Sequence, residues 1–219
     1  EGGVRVVPHA FMRALRQLCD QHVLLLIMDE IQTGIARTGH MFAYQQSGVT
    51  PDIMTLAKAL GGGFPIGACL ATAEASKGMT AGTHGSTFGG NPLAMAIGNA
   101  VLDVVLAPGF LDSVRHKSLL LRQRLAEIHD RYPNVIAEVR GEGLLLGLRA
   151  VVPNGELVDA LRAEKLLTIA AGDNVVRLLP PLIVSEDEIA DAVSRIERAC
   201  VALARGKAVP KPLPKGAVA

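Results

Sequence analysis

The feature that most constrains the fold is a short apolar run that ends in two carboxylates. Residues 23–28 read VLLLIM, and Asp29 and Glu30 follow directly. A continuous apolar run of this length is typical of a strand that is buried in a parallel sheet. A carboxylate at the carboxyl end of such a strand can engage the ring nitrogen of a planar ligand. The sequence therefore predicts a buried strand with Asp29 at a ligand-binding end.

A lysine within an apolar stretch, Lys58, lies downstream of this strand. It follows IMTLA at residues 53–57 and precedes three glycines at 61–63. Burial among apolar residues would help its amine to act as a nucleophile. Together with Asp29 as partner of a pyridine nitrogen, this is the equipment of an enzyme that uses pyridoxal phosphate (PLP). Taken singly, Lys58 also fits an ordinary snorkelling side chain, and Asp29 fits a helix cap.

A series of sequence blocks resembles the class III, or ω-amino, aminotransferases. The first block is DEIQTGIARTG at residues 29–39, and four more follow in order: TPDI, LAK, GGGFPIG and GSTFGGNPLA. The resemblance implies an α/β protein of PLP-dependent transferase fold type I. It would comprise part of the large domain, with a mainly parallel sheet, and a C-terminal α+β small domain. The residues of the last block are most similar to those of the family members that act on acetylornithine.

The same resemblance implies roles for individual residues around the cofactor. Lys58 would carry the cofactor covalently and move protons between the substrate carbon and the cofactor. Asp29 would pair with the pyridine nitrogen. Gln32 would form a hydrogen bond near the ring hydroxyl, and Ile31 would pack on a ring face. Glu30 is assigned to the cofactor-binding residues with them.

Two hydroxyl residues in the Gly-rich block 85–90 complete this set. By resemblance, Thr87 donates to the cofactor phosphate, usually from the neighbouring subunit of a homodimer, and Ser86 lies at the substrate entrance. Taken alone, hydroxyl groups in such a loop more commonly cap turns. The block as a whole favours the functional interpretation, more strongly for Thr87 than for Ser86.

One arginine lies inside an apolar strand pattern near the other end of the chain. Residues 174–183 read NVVRLLPPLI, and the arginine is Arg177. A guanidinium in such surroundings needs an anion, and a carboxylate suits it. The resemblance implies that Arg177 receives the substrate α-carboxylate, and that Glu1 covers Arg177 when another substrate must bind. The alternatives are a structural ion pair for Arg177 and a solvated terminus for Glu1.

Composition argues against several classes of function. Lys and Arg number 22 against 21 Asp and Glu, so the net charge of +1 gives no electrostatic reason to expect nucleic acid or an anionic membrane. The apolar runs are broken by glycine or charge before membrane-spanning length. The three cysteines form no C-x-x-C, which argues against a disulfide framework or a zinc site. We expect a cytoplasmic protein without a metal, nucleic-acid or membrane partner.

The order of helical and strand patterns places a domain boundary at residues 107–109. We expect 1–106 to be the C-terminal part of the PLP-binding large domain, 107–205 the small domain, and 206–219 a disordered tail. The chain starts inside a motif, and it lacks the Gly-rich phosphate turn and the stacking aromatic of the family's N-terminal half. We therefore expect a C-terminal fragment that is inactive alone and exposes apolar surface near its first strand.

Local signals predict the individual elements. Asn91 followed by Pro92 predicts the start of one helix, and the capping box that begins at Ser185 predicts the start of the last. Predicted helices cover residues 8–21, 92–106, 110–131, 156–164 and 186–203. Predicted strands cover residues 23–28, 53–56, 68–71, 135–139, 144–148, 167–169 and 175–179.

The function that this resemblance implies is transamination in arginine biosynthesis. The δ-amino group of N-acetylornithine would pass to 2-oxoglutarate through PLP. Within the same class, the amino donor could instead be succinylornithine, ornithine, 4-aminobutyrate or succinyldiaminopimelate. A hypothesis from a different class is that the chain is a non-catalytic piece, able to bind a partner or nothing.

Overall fold

The computed structural model describes residues 1–206 and divides the chain into two compact units. One unit is Val7–Val114, and the other combines Glu1–Val6 with the residues from Arg115 onward. The sequence analysis places residues 1–6 with the large domain and the boundary at 106/107, so the compact units differ from the expected ranges. The domain division itself stays a prediction. Apart from Gly206, the tail that we expect to be disordered lies outside the described residues.

The unit Val7–Val114 is built on a three-stranded mixed sheet. Helix α1 (His9–Gln21) comes first, and the strands are β1 (Ile27–Asp29), β2 (Ile53–Leu56) and β3 (Ala68–Ala71), in that spatial order. β1 runs parallel to β2, whereas β3 is antiparallel to it. The expected α/β class is confirmed, but within the described residues the sheet is mixed rather than mainly parallel.

The predicted strand at residues 23–28 is wrong in length and in burial. Only Ile27 and Met28 of that range are in β1, and Val23 adopts a φ of +54° in the turn after α1. Leu24, Leu25 and Ile27 are each more than half exposed, because β1 is an edge strand of the sheet that the described residues form, with β2 on one side only. The exposed apolar surface that the sequence analysis expects here is therefore present.

The helix starts follow the predicted capping signals. Helix α2 is Pro92–Val105, and the side chain of Asn91 accepts a hydrogen bond from the Ala94 N–H at 2.9 Å. Helix α3 is Phe110–Arg131, as predicted. In the last helix, α5 (Glu186–Ala204), the Ser185 hydroxyl accepts the Glu188 N–H at 3.2 Å. Such caps satisfy N–H groups that have no partner within the helix.

The second unit consists of an antiparallel sheet and its helices. The strands are β4 (Ile136–Glu142), β5 (Leu145–Ala150), β6 (Ile169–Ala171) and β7 (Val175–Leu178), in the order β4-β5-β7-β6. Helix α4 (Asn154–Ala163) packs against α5. The predicted strands and helices agree with these within a few residues. The core contains the fully buried side chains Leu125, Ile128, Ile136, Leu146, Leu148, Leu157, Leu161, Ile189 and Ile196.

No single helix among residues 1–206 has both the length and the apolar character needed to cross a bilayer. Helices α2 and α3 reach that threshold only together, as a bent pair. The described residues also contain no group of three His, Cys, Asp or Glu side chains arranged to hold a metal ion.

Candidate active site

Asp29 and Lys58 lie at the same edge of the first sheet. β1 and β2 are parallel, and Asp29 at the end of β1 is in register with Thr55 of β2. The Glu30 N–H donates to the Thr55 carbonyl at 3.0 Å and continues this pairing. Lys58 follows the end of β2 after one intervening residue, Ala57, and begins the 3₁₀ turn Lys58–Gly61. In open α/β sheets, ligands bind outside the carboxyl ends of the parallel strands.

The side chain of Lys58 is exposed, which corrects the expectation of an amine buried among apolar residues. Its neighbours Leu56 and Leu60 are buried instead. Lys58 has a φ of +48°, a value that is uncommon for residues other than glycine. Such sparsely populated backbone conformations cluster at functional sites. The left-handed backbone at Lys58 therefore marks the turn that carries the candidate nucleophile.

The glycines after Lys58 allow close packing beneath this turn. A Cβ at the buried Gly61 would lie 2.5 Å from the Cγ2 atom of Ile66, closer than real contacts allow. Because Gly61 packs against the Ile66 side chain, we infer that Gly61 shapes the turn that presents Lys58.

The exposed carboxylate of Asp29 also has a local hydrogen bond. Its Oδ1 atom accepts the Ile31 N–H at 2.9 Å. This is the kind of turn-capping role that the sequence analysis gives as its alternative. An ionised carboxylate can accept several hydrogen bonds, so the cap leaves room for a ligand donor. Asp29 therefore retains the chemistry expected of a partner for a protonated ring nitrogen.

Glu30 points into the protein rather than towards an open site. It is 3% exposed, its Oε1 atom accepts the Tyr44 N–H at 2.9 Å, and its Oε2 atom accepts a short hydrogen bond from the Thr33 hydroxyl. Buried carboxylates need such partners. Glu30 therefore stabilises the loop at residues 31–44 that follows Asp29. The sequence analysis assigns Glu30 to the cofactor instead.

The loop after Glu30 carries the other two expected cofactor contacts, Ile31 and Gln32, both half-buried. The loop continues into the buried residues Ile35 and Ala36, which have φ values of +52° and +69°. Each such conformation costs roughly 1–3 kcal/mol and persists only where the surroundings determine it. Ile31 and Gln32 directly follow the end of β1, so they lie on the same side of the sheet as Asp29 and Lys58.

Ser86 and Thr87 lie in an exposed loop of the same unit. The Ser86 hydroxyl accepts the Gly89 N–H at 2.9 Å, which is the turn-capping role that the sequence analysis gives as the alternative. Nearby, the Thr83 hydroxyl donates to the Thr80 carbonyl at 2.7 Å. The hydrogen bonds that the structure shows in this loop are thus local. The roles of both residues towards cofactor and substrate stay predictions.

Arg177 and Glu1 belong to the second unit. Arg177 lies in β7, in register with Gly147 of β5 and Ile169 of β6, and it is half-buried with its Nε atom buried. Glu1 is exposed, and its carbonyl accepts the Gly172 N–H at 2.7 Å. The start of the chain is therefore held at the turn that leads into the strand of Arg177. Their functional roles stay predictions.

Two ion-pair clusters were not found by the sequence analysis. Asp52 binds Arg16 of α1, and Asp173 binds Arg140 of β4. Asp52 belongs to the TPDI block, which could have marked it. Asp173 belongs to the Gly-Asp-Asn run at residues 172–174, which reads as an ordinary turn.

Comparisons with known proteins match most of the chain to one family. The family model described as Aminotransferase class-III matches residues 1–200. The chain is 67% identical to acetylornithine aminotransferase 1 of Bradyrhizobium diazoefficiens over 203 residues, which cover 93% of this chain and 50% of that protein. It is 63% identical to acetylornithine aminotransferase of Agrobacterium fabrum, with coverages of 93% and 51%. The chain spans about half the length of the curated relatives it matches.

Solved structures show the same likeness. N-acetylornithine aminotransferase from Stenotrophomonas maltophilia matches with a TM-score of 0.84 and 38% identity, over 93% of this chain and 54% of that one. Ornithine aminotransferase from Toxoplasma gondii, in a structure with partial occupancy of PLP at its active site, matches with a TM-score of 0.87 and 33% identity. That match covers 94% of this chain and 50% of the other.

Proposed function

Because this chain belongs to the class III aminotransferase family, we propose that it contributes to an enzyme that transfers the δ-amino group of N-acetylornithine to 2-oxoglutarate. The observation that carries the proposal is the placement of Asp29 and Lys58 at one edge of the sheet, at the ends of two parallel strands. Identities of 67% and 63% to proteins named acetylornithine aminotransferase support this choice of amino donor.

The residues at this edge fit PLP, on which the class III family depends. The exposed amine of Lys58 would hold the cofactor covalently, and the exposed carboxylate of Asp29 would pair with its protonated pyridine nitrogen. When bound, PLP supplies an electron sink for a substrate carbon that loses a proton. Gln32 and Ile31 are proposed to contact the ring, and Thr87 is proposed to donate to the phosphate.

In this proposal the chain's own residues position charge and move one proton. The carboxylate of Asp29 would hold the ring nitrogen in its protonated form. The Nζ atom of Lys58, on its left-handed turn, would accept a proton from the amine-bearing carbon of the substrate and pass it to the cofactor carbon that takes up the amino group. The internal hydrogen bonds of Glu30 keep the loop that follows Asp29 in place. Lys58 is thus both the attachment point and the acid–base group.

The substrate carboxylate is assigned to Arg177. A guanidinium binds a carboxylate through two parallel hydrogen bonds, which fixes orientation as well as affinity. Glu1 is proposed to cover Arg177 while the ω-amino donor is bound and to leave it when glutamate or 2-oxoglutarate binds. Ser86 is proposed to lie at the substrate entrance. We further propose a homodimer with shared active sites in the cytoplasm.

A second candidate amino donor is ornithine. The ornithine aminotransferase from Toxoplasma gondii has a TM-score of 0.87, but its identity of 33% is about half of the 67% to acetylornithine aminotransferase 1 of Bradyrhizobium diazoefficiens. An acetylated and a free α-amino group differ in charge, so a site that suits one discriminates strongly against the other. The two donors can therefore be separated by kinetics.

The test is an assay of the purified protein, expressed at the full length that its gene encodes. We expect 2-oxoglutarate-dependent consumption of N-acetylornithine, with a kcat/KM at least about tenfold above that for ornithine. A higher kcat/KM for ornithine would replace the proposed donor. Absence of transfer from every ω-amino donor, despite bound PLP, would contradict the proposed function and favour a non-catalytic role.

A further inference from the structure

An aspartate in the turn between β6 and β7 lies among three arginines. The Oδ2 atom of Asp173 is 2.8 Å from Arg5 Nη2 and 2.8 Å from Arg140 Nη1, and its Oδ1 atom is 3.9 Å from Arg149 Nε. The side chain of Arg140 is 11% exposed and also pairs with Glu138 at 2.6 Å. A network with a largely buried member holds its geometry better than isolated surface pairs do.

The same turn and the same arginine hold the segment Glu1–Val6 by its backbone. Arg140 Nη1 donates to the Gly3 carbonyl at 3.2 Å, and the Gly172 N–H donates to the Glu1 carbonyl at 2.7 Å. Gly3 has a φ of +93°, and a Cβ there would lie 2.8 Å from the Gly172 oxygen. The segment and the turn therefore meet backbone to backbone, at a distance that excludes a side chain on Gly3.

Hydrogen bonds also hold the turn at residues 172–174 to the rest of this unit. The Asn174 side chain donates to the Ala150 carbonyl at 2.7 Å and to the Val152 carbonyl at 2.8 Å, and it accepts the Asn154 N–H at 2.8 Å. Strand β7 follows this turn and carries Arg177. One connected set of hydrogen bonds thus links the segment that begins with Glu1 to the strand of Arg177.

We propose that Asp173 and Arg140 are positioning residues that hold the backbone at Glu1 at a fixed place relative to Arg177, from which the Glu1 side chain can cover the guanidinium or leave it. This inference rests on the proposed function, in which Glu1 covers Arg177 for one of two substrates. A loosely held segment would lose conformational entropy each time its carboxylate covered the guanidinium. We call the contacts that Asp173 and Arg140 make with residues 1–6 the clamp. A clamped segment has already lost this entropy, so the clamp favours the state in which Glu1 covers Arg177. It thereby favours the ω-amino donor over glutamate.

The kinetic test compares two Asp→Asn variants of the full-length protein. Asp173→Asn removes the charge at the centre of the clamp. Asp159→Asn is the matched control, because Asp159 pairs with a single arginine, Arg162, at 2.7 Å in the same unit. We expect Asp173→Asn to lower the ratio of kcat/KM for acetylornithine to kcat/KM for glutamate by about five- to tenfold. The control should leave this ratio unchanged.

A double variant shows whether the clamp acts through Glu1. If it does, Glu1→Ala combined with Asp173→Asn should change the substrate ratio no more than Glu1→Ala alone, since the two act on one element. Arg140→Lys serves as a second clamp variant if Asp173→Asn fails to fold, because it keeps the charge but loses the planar fork. The proposal would be overturned if the effects of Glu1→Ala and Asp173→Asn on the substrate ratio multiplied in the double variant. It would also be overturned if the substrate ratio were unchanged in both Asp173→Asn and Arg140→Lys.

Amide hydrogen exchange provides a readout that is independent of activity. We expect faster exchange at residues 1–6 and at Gly172 in Asp173→Asn without substrate, and no change there in Asp159→Asn. Unchanged exchange would show that Asp173 does not hold the segment. If the unsubstituted protein transfers no amino group, the proposed function fails and the specificity role falls with it. The exchange result would still decide whether the clamp exists.

Discussion

The carboxylate of Asp52 joins the first helix to the first strand through a single oxygen. Its Oδ2 atom accepts Arg16 Nη1 at 2.7 Å and the Leu26 N–H at 2.7 Å. Leu26 is buried in a small apolar cluster with Cys19 of α1 and Val49. Asp52 therefore fixes the entry into β1, and with it the end of β1 where Asp29 lies.

Asp52→Asn should lower the free energy of unfolding by about 1–3 kcal/mol near neutral pH, because a charge-assisted pair is lost and the remaining donors are poorly satisfied. Denaturant unfolding measures this loss. Asp20→Asn is the control, since Asp20 also pairs with Arg16, at 2.8 Å, but its side chain is 65% exposed. That variant should lose less than about 0.5 kcal/mol. Equal losses would show that Asp52 has no special role.

The contribution of Asp52 should also depend on pH. The Leu26 N–H and the Arg16 guanidinium hold the pKa of this carboxyl below its usual value. The native state therefore releases the proton more readily than the unfolded state, so the contribution is fully present above the ordinary aspartate pKa of about 3.9. It disappears as the pH falls through the lower native pKa. The stability difference between the unsubstituted protein and Asp52→Asn should shrink accordingly, and a constant difference down to strongly acidic pH would contradict this.

Asp29→Asn should retain PLP but transfer amino groups far more slowly. A neutral amide cannot hold the pyridine nitrogen protonated, so the barrier should rise by several kcal/mol, with about tenfold in rate for each 1.4 kcal/mol. Single-turnover kinetics at full cofactor occupancy measure the effect. The exposed Asp103 of α2 offers a control substitution of the same type. A near-normal rate in Asp29→Asn would reduce Asp29 to the local cap of Ile31.

Arg177→Ala and Glu1→Ala should have different kinetic consequences. Loss of the guanidinium removes a charge-assisted carboxylate contact and should lower kcat/KM for acetylornithine and for glutamate by roughly 10- to 100-fold each. Loss of Glu1 should mainly shift the balance between these two substrates. Steady-state kinetics with both substrates tests this, with Arg162→Ala as the control for an exposed arginine. Equal losses for both substrates in Glu1→Ala would argue against the covering role.

The three cysteines should differ in reactivity. Cys69 is exposed in β3, whereas Cys19 and Cys200 are buried, and burial above all raises the pKa of the Cys200 thiol from 9.0 to about 12. Because the thiolate is the reactive form, Cys200 should stay unreactive near pH 8. Mass spectrometry after brief alkylation should find Cys69 modified at least about tenfold faster than Cys200. Rapid modification of Cys200 in the native protein would contradict its burial.

The raised pKa of Cys200 should make stability depend on pH in the opposite direction to the lowered pKa of Asp52. The Cys200 thiol keeps its proton in the native state at pH values where the unfolded thiol has lost it. Its contribution is therefore fully present below the unfolded pKa and is lost as the pH rises towards about 12. In Cys200→Ser this alkaline loss should be smaller, which denaturant unfolding between pH 8 and about 11 can measure.

Elements that depend on local chemistry could be predicted from the sequence. Asn91 before Pro92 and the capping box at Ser185 fix helix starts through contacts within a few residues, and both helices begin where predicted. Asp29 lies at the end of β1 and Lys58 comes just after β2, as the apolar patterns before them predict. Their roles towards a cofactor stay predictions.

Features that depend on distant partners could not be predicted in this way. Residues 23–28 have the pattern of a buried strand, but their burial depends on which strands lie beside them, and among residues 1–206 β1 has only β2 as a partner. The period of an apolar pattern does not give strand direction, so the antiparallel course of β3 was not foreseen. Asp173 binds Arg5 and Arg140, which lie far from it in sequence and leave no local signal.

The lysine that carries the cofactor identifies the site most directly. The full-length protein is incubated with PLP at less than one equivalent per chain, reduced with borohydride and digested, and the pyridoxyl group is located by mass spectrometry. Lys58 should carry the label, and Lys58→Ala should lose both the label and transamination. Lys77→Ala should keep both, because Lys77 is an exposed lysine paired with Glu74. A label on Lys77, or an even spread over the exposed lysines, would contradict the assignment of Lys58 and of the site at the end of β2.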